Sequence, residues 1–252
     1  MLKKREVKKV ITKVEGIIVN ETPYGDSSKI IQLFTRKYGI IGVMCKGVKS
    51  MKSPIRALTI KFTYGSFYLY YKEDKLSILK DVDVLCEFKT IKSDILLISY
   101  LNYITELTTQ VYKQSNDFIL YDYYIAGIKK IETGLNPLVI TNILELKYLP
   151  YLGVGLELDA CILCGNKTNI VTLDADDGGF ICKNCYTQQI LVSPKTVKLV
   201  RMYYYVEIDS ISELKISEEV VKEINFFINR YYERYTGLFL NSKKFLNKML
   251  DL

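Results

Sequence analysis

Along the chain, hydrophobic and polar positions change period once, near residue 90. Between residues 14 and 88 the apolar positions fall in short β-branched and aromatic runs: "VEGIIVNET", "SKIIQLFT", "IIGVMCKG", "LTIKFTYGSFYLYYK" and "LSILKDVDVLCEF". Turn-forming residues divide them, with "PYGD" at 23–26, "RKYG" at 36–39, a basic loop after Gly47 and "EDK" at 73–75. The pattern predicts five strands. Five strands in so short a span fit a small closed barrel, for which the OB-fold is the common solution and an SH3-like barrel the alternative.

From residue 91 apolar residues recur at three-to-four spacing, the period of amphipathic helices. "SDILLISYLNYITELTTQVY" offers Ser93 as its cap, and "DFILYDYYIAGIKKIET" and "NPLVITNILELKYLPYLG" follow in the same style, the last ending near Gly153. Later, "SPKTVKLVRMYYYV" starts with Ser193 as cap and Pro194 at the first helical position, and "SEEVVKEINFFINRYYERYTG" runs from Ser217 to a stop at Gly237. With neither repeats nor a low-complexity linker, any domain joint falls near residues 80–92. The expected class is α+β multidomain: a five-stranded OB-fold barrel over residues 1–80, then a mainly helical domain over 81–252.

One segment interrupts the helical texture. "CILCGNKTNIVTLDADDGGFICKNC" spaces Cys161, Cys164, Cys182 and Cys185 as C-x2-C-x17-C-x2-C, as in a four-cysteine zinc site. Two intervening residues let a tight turn aim both sulfurs at one ion, and two such knuckles complete a tetrahedron. The stretch between them reads as a hairpin tipped by Asp176, Asp177, Gly178 and Gly179. The expected zinc module covers residues 157–190; a redox-active pair of CxxC motifs or two disulfides are the rivals. Four thiolates leave no open position for water or substrate, so Zn2+ would be structural.

Composition narrows the chemistry. The 252 residues include no histidine, which removes Ser-His-Asp and Cys-His nucleophile arrangements and the usual general base near neutral pH. No glycine-rich phosphate loop is present. Cys45 and Cys86 lie inside strand-like runs and read as packed thiols. An enzyme is therefore not expected. The longest uncharged apolar run near the middle, residues 95–105, is eleven residues, short of the roughly 18 a membrane span needs. The basic N-terminus lacks the apolar core of a secretory signal, so the expected address is cytoplasmic.

Charge adds a direction. The net charge of +7 is uneven: residues 1–80 hold 17 Lys and Arg against 6 Asp and Glu, or +11, and the remainder carries −4. A field of one sign on a small module points to a polyanion, most often nucleic acid. The loop "CKGVKSMKSPIR" concentrates Lys46, Lys49, Lys52 and Arg56 without an acid, and Arg36 and Lys37 sit in the preceding turn. These six are the expected DNA contacts, the cations tracking phosphate while aromatics stack on bases. In the fourth strand Phe62, Tyr64, Tyr68 and Tyr70 share one parity and Phe67, Leu69 and Tyr71 the other; a bulge at Gly65 would exchange the faces.

"GIIVNETPYGDSSKIIQLFTRKYGIIGVMCKGVKSMKS" resembles the opening of the bacterial recombination mediator family RecO, with its tyrosine-glycine-acid turn, "LFT", glycine turn and lysine-glycine ahead of a basic loop. "YLPYLGVGLELDACILCG", "GGFICKNC" and "YYERYTGLFLNSKKFL" continue the likeness in order, over nearly the whole chain. The resemblance implies an N-terminal OB-fold, a helical C-terminal domain with an embedded zinc module, and binding of single- and double-stranded DNA. It further implies annealing of complementary strands and help in loading recombinase onto DNA coated by single-strand-binding protein, in the cytoplasm at the nucleoid. RecR and the C-terminal tail of the single-strand-binding protein are the implied partners. Two readings compete: a metal-dependent nuclease using Asp174, Asp176 and Asp177, and a zinc-containing scaffold that binds only proteins.

Overall fold

The computed structural model describes residues 10–213 and 215–250, so five of the N-terminal cations, Lys3, Lys4, Arg5, Lys8 and Lys9, lie outside the described residues. The chain divides into two compact units, residues 1–87 and 88–252.

The first unit is a closed barrel of β1 (Thr12–Tyr24), β2 (Ser28–Thr35), β3 (Gly39–Cys45), β4 (Tyr64–Tyr70) and β5 (Ser77–Cys86), ordered β1-β2-β3-β5-β4. All neighbours are antiparallel except β3 and β5, which is the OB arrangement. Alternation along the strands sends Val14, Ile18, Ile31, Leu33, Val43, Cys45, Phe67, Leu69, Leu79 and Val82 inward. β1 serves two partners, and where it crosses β4 the paired Gly16 and Gly65 let backbones close in. A Cβ at Gly16 would sit 2.7 Å from the Phe34 carbonyl, and one at Gly65 2.5 Å from that of Asp83.

Two expectations shift. The unit ends at Glu87, not at residue 80, because β5 continues to Cys86 and the earlier limit cuts it in mid-strand. β4 begins only at Tyr64: Phe62 has φ 68° and donates its backbone N–H to Ile18, so it belongs to the incoming turn and not to the strand parity.

The second unit contains α1 (Lys89–Lys92), α2 (Ile95–Ser115), α3 (Ile119–Glu132), α4 (Pro137–Tyr148), a sheet of β6 (Glu157–Cys161), β7 (Ile170–Asp174) and β8 (Gly179–Cys182), then α5 (Pro194–Tyr205), α6 (Glu218–Tyr235) and α7 (Asn241–Leu250). α4 is buried all round from Val139 to Tyr148, as a central helix must be. Ser93 does not cap α2; Asp94 does, its carboxylate accepting from the N–H groups of Leu96 and Leu97. Ser193 caps α5 as expected, through the N–H of Thr196.

Tyrosine richness has a structural use here. Tyr103, Tyr121, Tyr124, Tyr148 and Tyr203 are fully buried, and most of the buried hydroxyls find partners: Tyr124 with Thr105 at 2.7 Å, Tyr148 with Thr108 at 2.9 Å, and Tyr103 donating to Glu145 at 2.5 Å. Burial pushes these phenols far above their ordinary pKa. They act as large core residues whose polar tips knit helices together.

Candidate nucleic-acid interface and metal centre

The basic loop after β3 is anchored by its apolar residues and presents its cations outward. Val48 is buried in the barrel core, and Ile55 and Leu58 pack against it. Gly47, at φ 67°, turns the chain, and the hydroxyl of buried Thr59 is within donating distance of the carbonyls of Ile55 and Arg56, each at 3.1 Å. Lys46, Lys52 and Arg56 are exposed. Among the described residues no acid pairs with Lys46 or Lys52; the Arg56 guanidinium lies on the Met51 sulfur.

Lys49 differs from its neighbours. Its ammonium donates to the Gly25 carbonyl at 2.8 Å and its backbone N–H to that of Ser27 at 2.9 Å, tying the loop to the β1–β2 turn. Arg36 and Lys37 are also set apart. They occupy the β2–β3 turn, whereas the basic loop leaves the other end of β3, so the six expected cations form two groups at opposite ends of one hairpin.

The aromatics separate by face. Phe67 and Leu69 fill the barrel, while Tyr68 and Tyr70 are half-buried on the outside. Register shifts between β4 and β5 fall at Tyr64/Gly65 and at Tyr68/Leu69. The outer face of β4 is of mixed charge: Lys13 lies 5.7 Å from the Tyr68 ring and Lys80 4.8 Å from that of Tyr70, but the Tyr68 hydroxyl donates to Asp83 at 2.7 Å. Tyr64 is buried with its hydroxyl on Glu15 at 2.6 Å. Sequence parity missed a pair at the β2–β3 turn, where Tyr38 and Tyr71 stack with centroids 4.1 Å apart and planes 19° from parallel.

In the second unit, strand pairing assembles the cysteines. β6 and β8 run parallel, side by side, and end in Cys161 and Cys182. After each comes a tight turn: Gly165, at φ 73°, donates to the Cys161 carbonyl at 2.8 Å, and Cys185 and Tyr186 donate to that of Cys182 at 3.1 and 2.9 Å. The four Sγ atoms lie within 4.8 Å of one another, Cys164 and Cys182 at 3.6 Å. A tetrahedral ion with bonds of about 2.3 Å separates its sulfurs by about 3.8 Å.

The thiols of the cluster do not ionise alike. Burial resists ionisation of Cys161, yet backbone N–H groups of Cys182, Leu163 and Cys164 outweigh it and bring its pKa down to about 6. Cys185 is pushed up to about 12, first by its hydrogen bond with Cys164 and then by desolvation. Four adjacent anions coexist only around a divalent cation, so the donor set fits a closed four-thiolate metal site.

The hairpin between the knuckles reaches α6. At its tip the Asp174 carboxylate accepts from the N–H groups of Asp176 and Asp177 at 2.8 and 2.9 Å. Asp176 pairs with Arg230, and with Arg234 at 3.4 Å; hydrogen bonding from Arg230 holds its carboxyl below the ordinary range. Gln189 donates to Asp177 at 3.0 Å. The three acids are spent on turn and clamp. A cleft of ≈ 830 Å³ lies between this hairpin and α6, with Ile190, Leu191 and Phe226 among its lining.

The chain matches the family models for the recombination protein O N terminal over residues 10–88 and the recombination protein O C terminal over residues 92–244. The chain belongs to the recombination protein O family. It is similar to the DNA repair protein RecO of Bacillus subtilis strain 168, 34% identical over 245 residues and 95% of each chain. The RecO of Bacillus pumilus is 33% identical over the same length, and that of Listeria monocytogenes serotype 4b 32% identical over 242 residues, 94% of each chain. Membership of the RecO family gives the protein a role in DNA repair and recombination. Among the described residues, no helix is long and apolar enough to cross a membrane.

Proposed function

We propose that the protein is a recombination mediator that binds single- and double-stranded DNA through its barrel, anneals complementary strands and helps to load recombinase onto DNA coated by single-strand-binding protein. The observation that carries this reading is the anchored loop with outward Lys46, Lys52 and Arg56, on a unit matching the family's N-terminal domain. Annealing is opposed by phosphate repulsion, and a cationic surface that neutralises phosphates on both strands lowers that barrier while releasing counterions. No bond is made or broken, so no catalytic residue is assigned. Arg36 and Lys37 extend the contact surface; Lys49 contributes charge but is held as a tie.

The metal is Zn2+, bound by Cys161, Cys164, Cys182 and Cys185 and structural in role. It fixes the three-stranded module whose tip clamps α6. RecR and the tail of the single-strand-binding protein are the proposed protein partners, and the cytoplasm, at the nucleoid, the proposed site of action. The nuclease reading is disfavoured because Asp174, Asp176 and Asp177 are already engaged by backbone and arginine donors.

The test is annealing of fluorescence-labelled complementary oligonucleotides by the wild type and by a Lys46→Glu, Lys52→Glu, Arg56→Glu variant that retains Lys49, with circular dichroism confirming the fold. Loss of annealing in the folded variant supports the reading; unchanged annealing sinks the loop's role. If about four to six phosphates are neutralised, log K should fall against log salt with a slope of roughly −3 to −5. Cleavage of labelled DNA in magnesium would favour the nuclease, and failure to retain DNA at low salt the protein-only scaffold.

A further inference from the structure

The cleft beside α6 has as its second wall residues 187–192, which run out of the second cysteine knuckle without a charge among them. Ile190 and Leu191 are more than half exposed, as is Phe226 across the cleft on α6. Three large apolar side chains left open in one concavity mark an interaction site. The segment is tied along one side only. β7 is an edge strand in the order β6-β8-β7, and its Thr172 hydroxyl donates to the Ile190 carbonyl at 2.7 Å and accepts the Val192 N–H at 3.3 Å. A carbonyl and the N–H two residues on, both turned to the same neighbour, are the pattern of extended chain.

In extended chain the main-chain groups of successive residues point to opposite sides, so those of Gln189 and Leu191 point away from β7. Among the described residues neither their N–H groups nor their carbonyls have a protein partner. They form a short open strand edge, a template for another chain. The edge is held in place beforehand: the Gln189 side chain donates to Asp177 and accepts the Thr187 N–H, both at 3.0 Å, and the Ser193 N–H donates to Glu223 at 3.1 Å. Little order remains to be lost when an occupant arrives. Charge selects that occupant. The lining carries five carboxylates against Lys222 and Arg230, and the balance stays negative when Arg234, which also reaches Asp176, is added. Glu219 has no partner among the described residues, and it shares one face of α6 with Phe226, two turns on.

We propose that the cleft takes an extended segment of a protein partner, laid beside residues 189–191 as an added strand, with apolar side chains on Ile190, Leu191 and Phe226 and a lysine or arginine on Glu219. Main-chain hydrogen bonds to Gln189 and Leu191 supply the affinity, and the acidic, apolar cleft supplies the choice of side chain. The surface belongs wholly to the helical unit and does not depend on the DNA-binding reading above.

The probe is an end-blocked, fluorescein-labelled peptide of alternating valine and lysine, titrated against the full chain by anisotropy, with amide exchange followed by NMR. Wild type should bind it saturably and slow exchange at Gln189 and Leu191 while leaving Ile190 unchanged. Phe226→Ala and Glu219→Lys should each weaken binding on the order of ten-fold, with circular dichroism and strand annealing unaltered, and the same peptide with glutamate for lysine should not bind. Protection of Ile190 in place of its neighbours, or of none of the three, overturns strand addition. Equal binding of the glutamate peptide overturns the charge assignment, and absence of saturable binding overturns the dock. If sedimentation shows a dimer of the free protein that Phe226→Ala dissociates, the occupant is a second copy of this chain and the proposal falls.

Discussion

The barrel and the helical unit use the same side-chain types in opposite ways. In the helical unit all three arginines and two of the lysines are committed: Arg201 to Asp159 at 2.7 Å, Arg230 and Arg234 to Asp176, Lys243 to Glu145 at 2.8 Å, and Lys130 to the carbonyls of Asp209 and Ile211 at 2.8 and 2.5 Å. In the barrel, Lys29 pairs with Glu21 at 2.6 Å and Lys49 is tied to Gly25, while Lys46 and Lys52 stand at the surface with no acidic partner among the described residues. A committed cation holds the protein together; an uncommitted one leaves its field for a ligand. Net charge alone does not separate these cases, but the distribution of partners does.

The comparison breaks most sharply at the proposed metal site. Chelation, or Cys161→Ser with Cys182→Ser, should lower the melting transition of the helical unit by more than ten degrees, since folding free energy in such modules is largely metal-binding free energy; barrel-dependent DNA binding near room temperature should survive. Calorimetry with and without chelator checks this, and loss of DNA binding in parallel would mean the two units are not independent in role.

Next in size is the buried pair. Glu145 is 1% exposed and holds both Tyr103 and Lys243, so Lys243→Met should cost about 3 kcal/mol by stranding a buried carboxylate. Urea titration measures it, and a cost near zero would show that α7 is not fastened there. Charge reversal at Lys46, Lys52 and Arg56 should instead leave stability untouched and reduce the salt slope of DNA binding by roughly 3. Smallest is Arg201→Ala: both partners of its bridge are more than half exposed, so the melting midpoint should not move beyond error, and DNA affinity should hold too.

Much of the fold was legible because its signals are local. Strand alternation and turn residues gave the five strands, and the CxxC spacing gave a cluster that strand pairing closes. What was not legible depends on distant partners. Ser93 and Asp94 are both capping residues by type, and only backbone direction selects Asp94. Lys49 looks like its neighbours until the Gly25 carbonyl, 24 residues earlier, is brought beside it. Arg36 and Lys37 precede the basic loop by ten residues in sequence and by the length of a strand in space. Tyr38 and Tyr71 meet only because β4 returns to the end of the barrel where the β2–β3 turn lies; no periodicity marks the pair.

If the loop binds DNA as proposed, the tie from Lys49 to the β1–β2 turn has a kinetic consequence. A loop left free would have to surrender conformational entropy each time it met a strand, and the rate of productive encounter would fall with every disordered rotamer. Held at Lys49, Val48 and Ile55, the loop offers its charges already in register, so a strand arriving by electrostatic attraction is captured without waiting for the protein to rearrange. Under the proposed annealing function strands are caught and released repeatedly, and the ammonium spent on a carbonyl would then shorten each cycle.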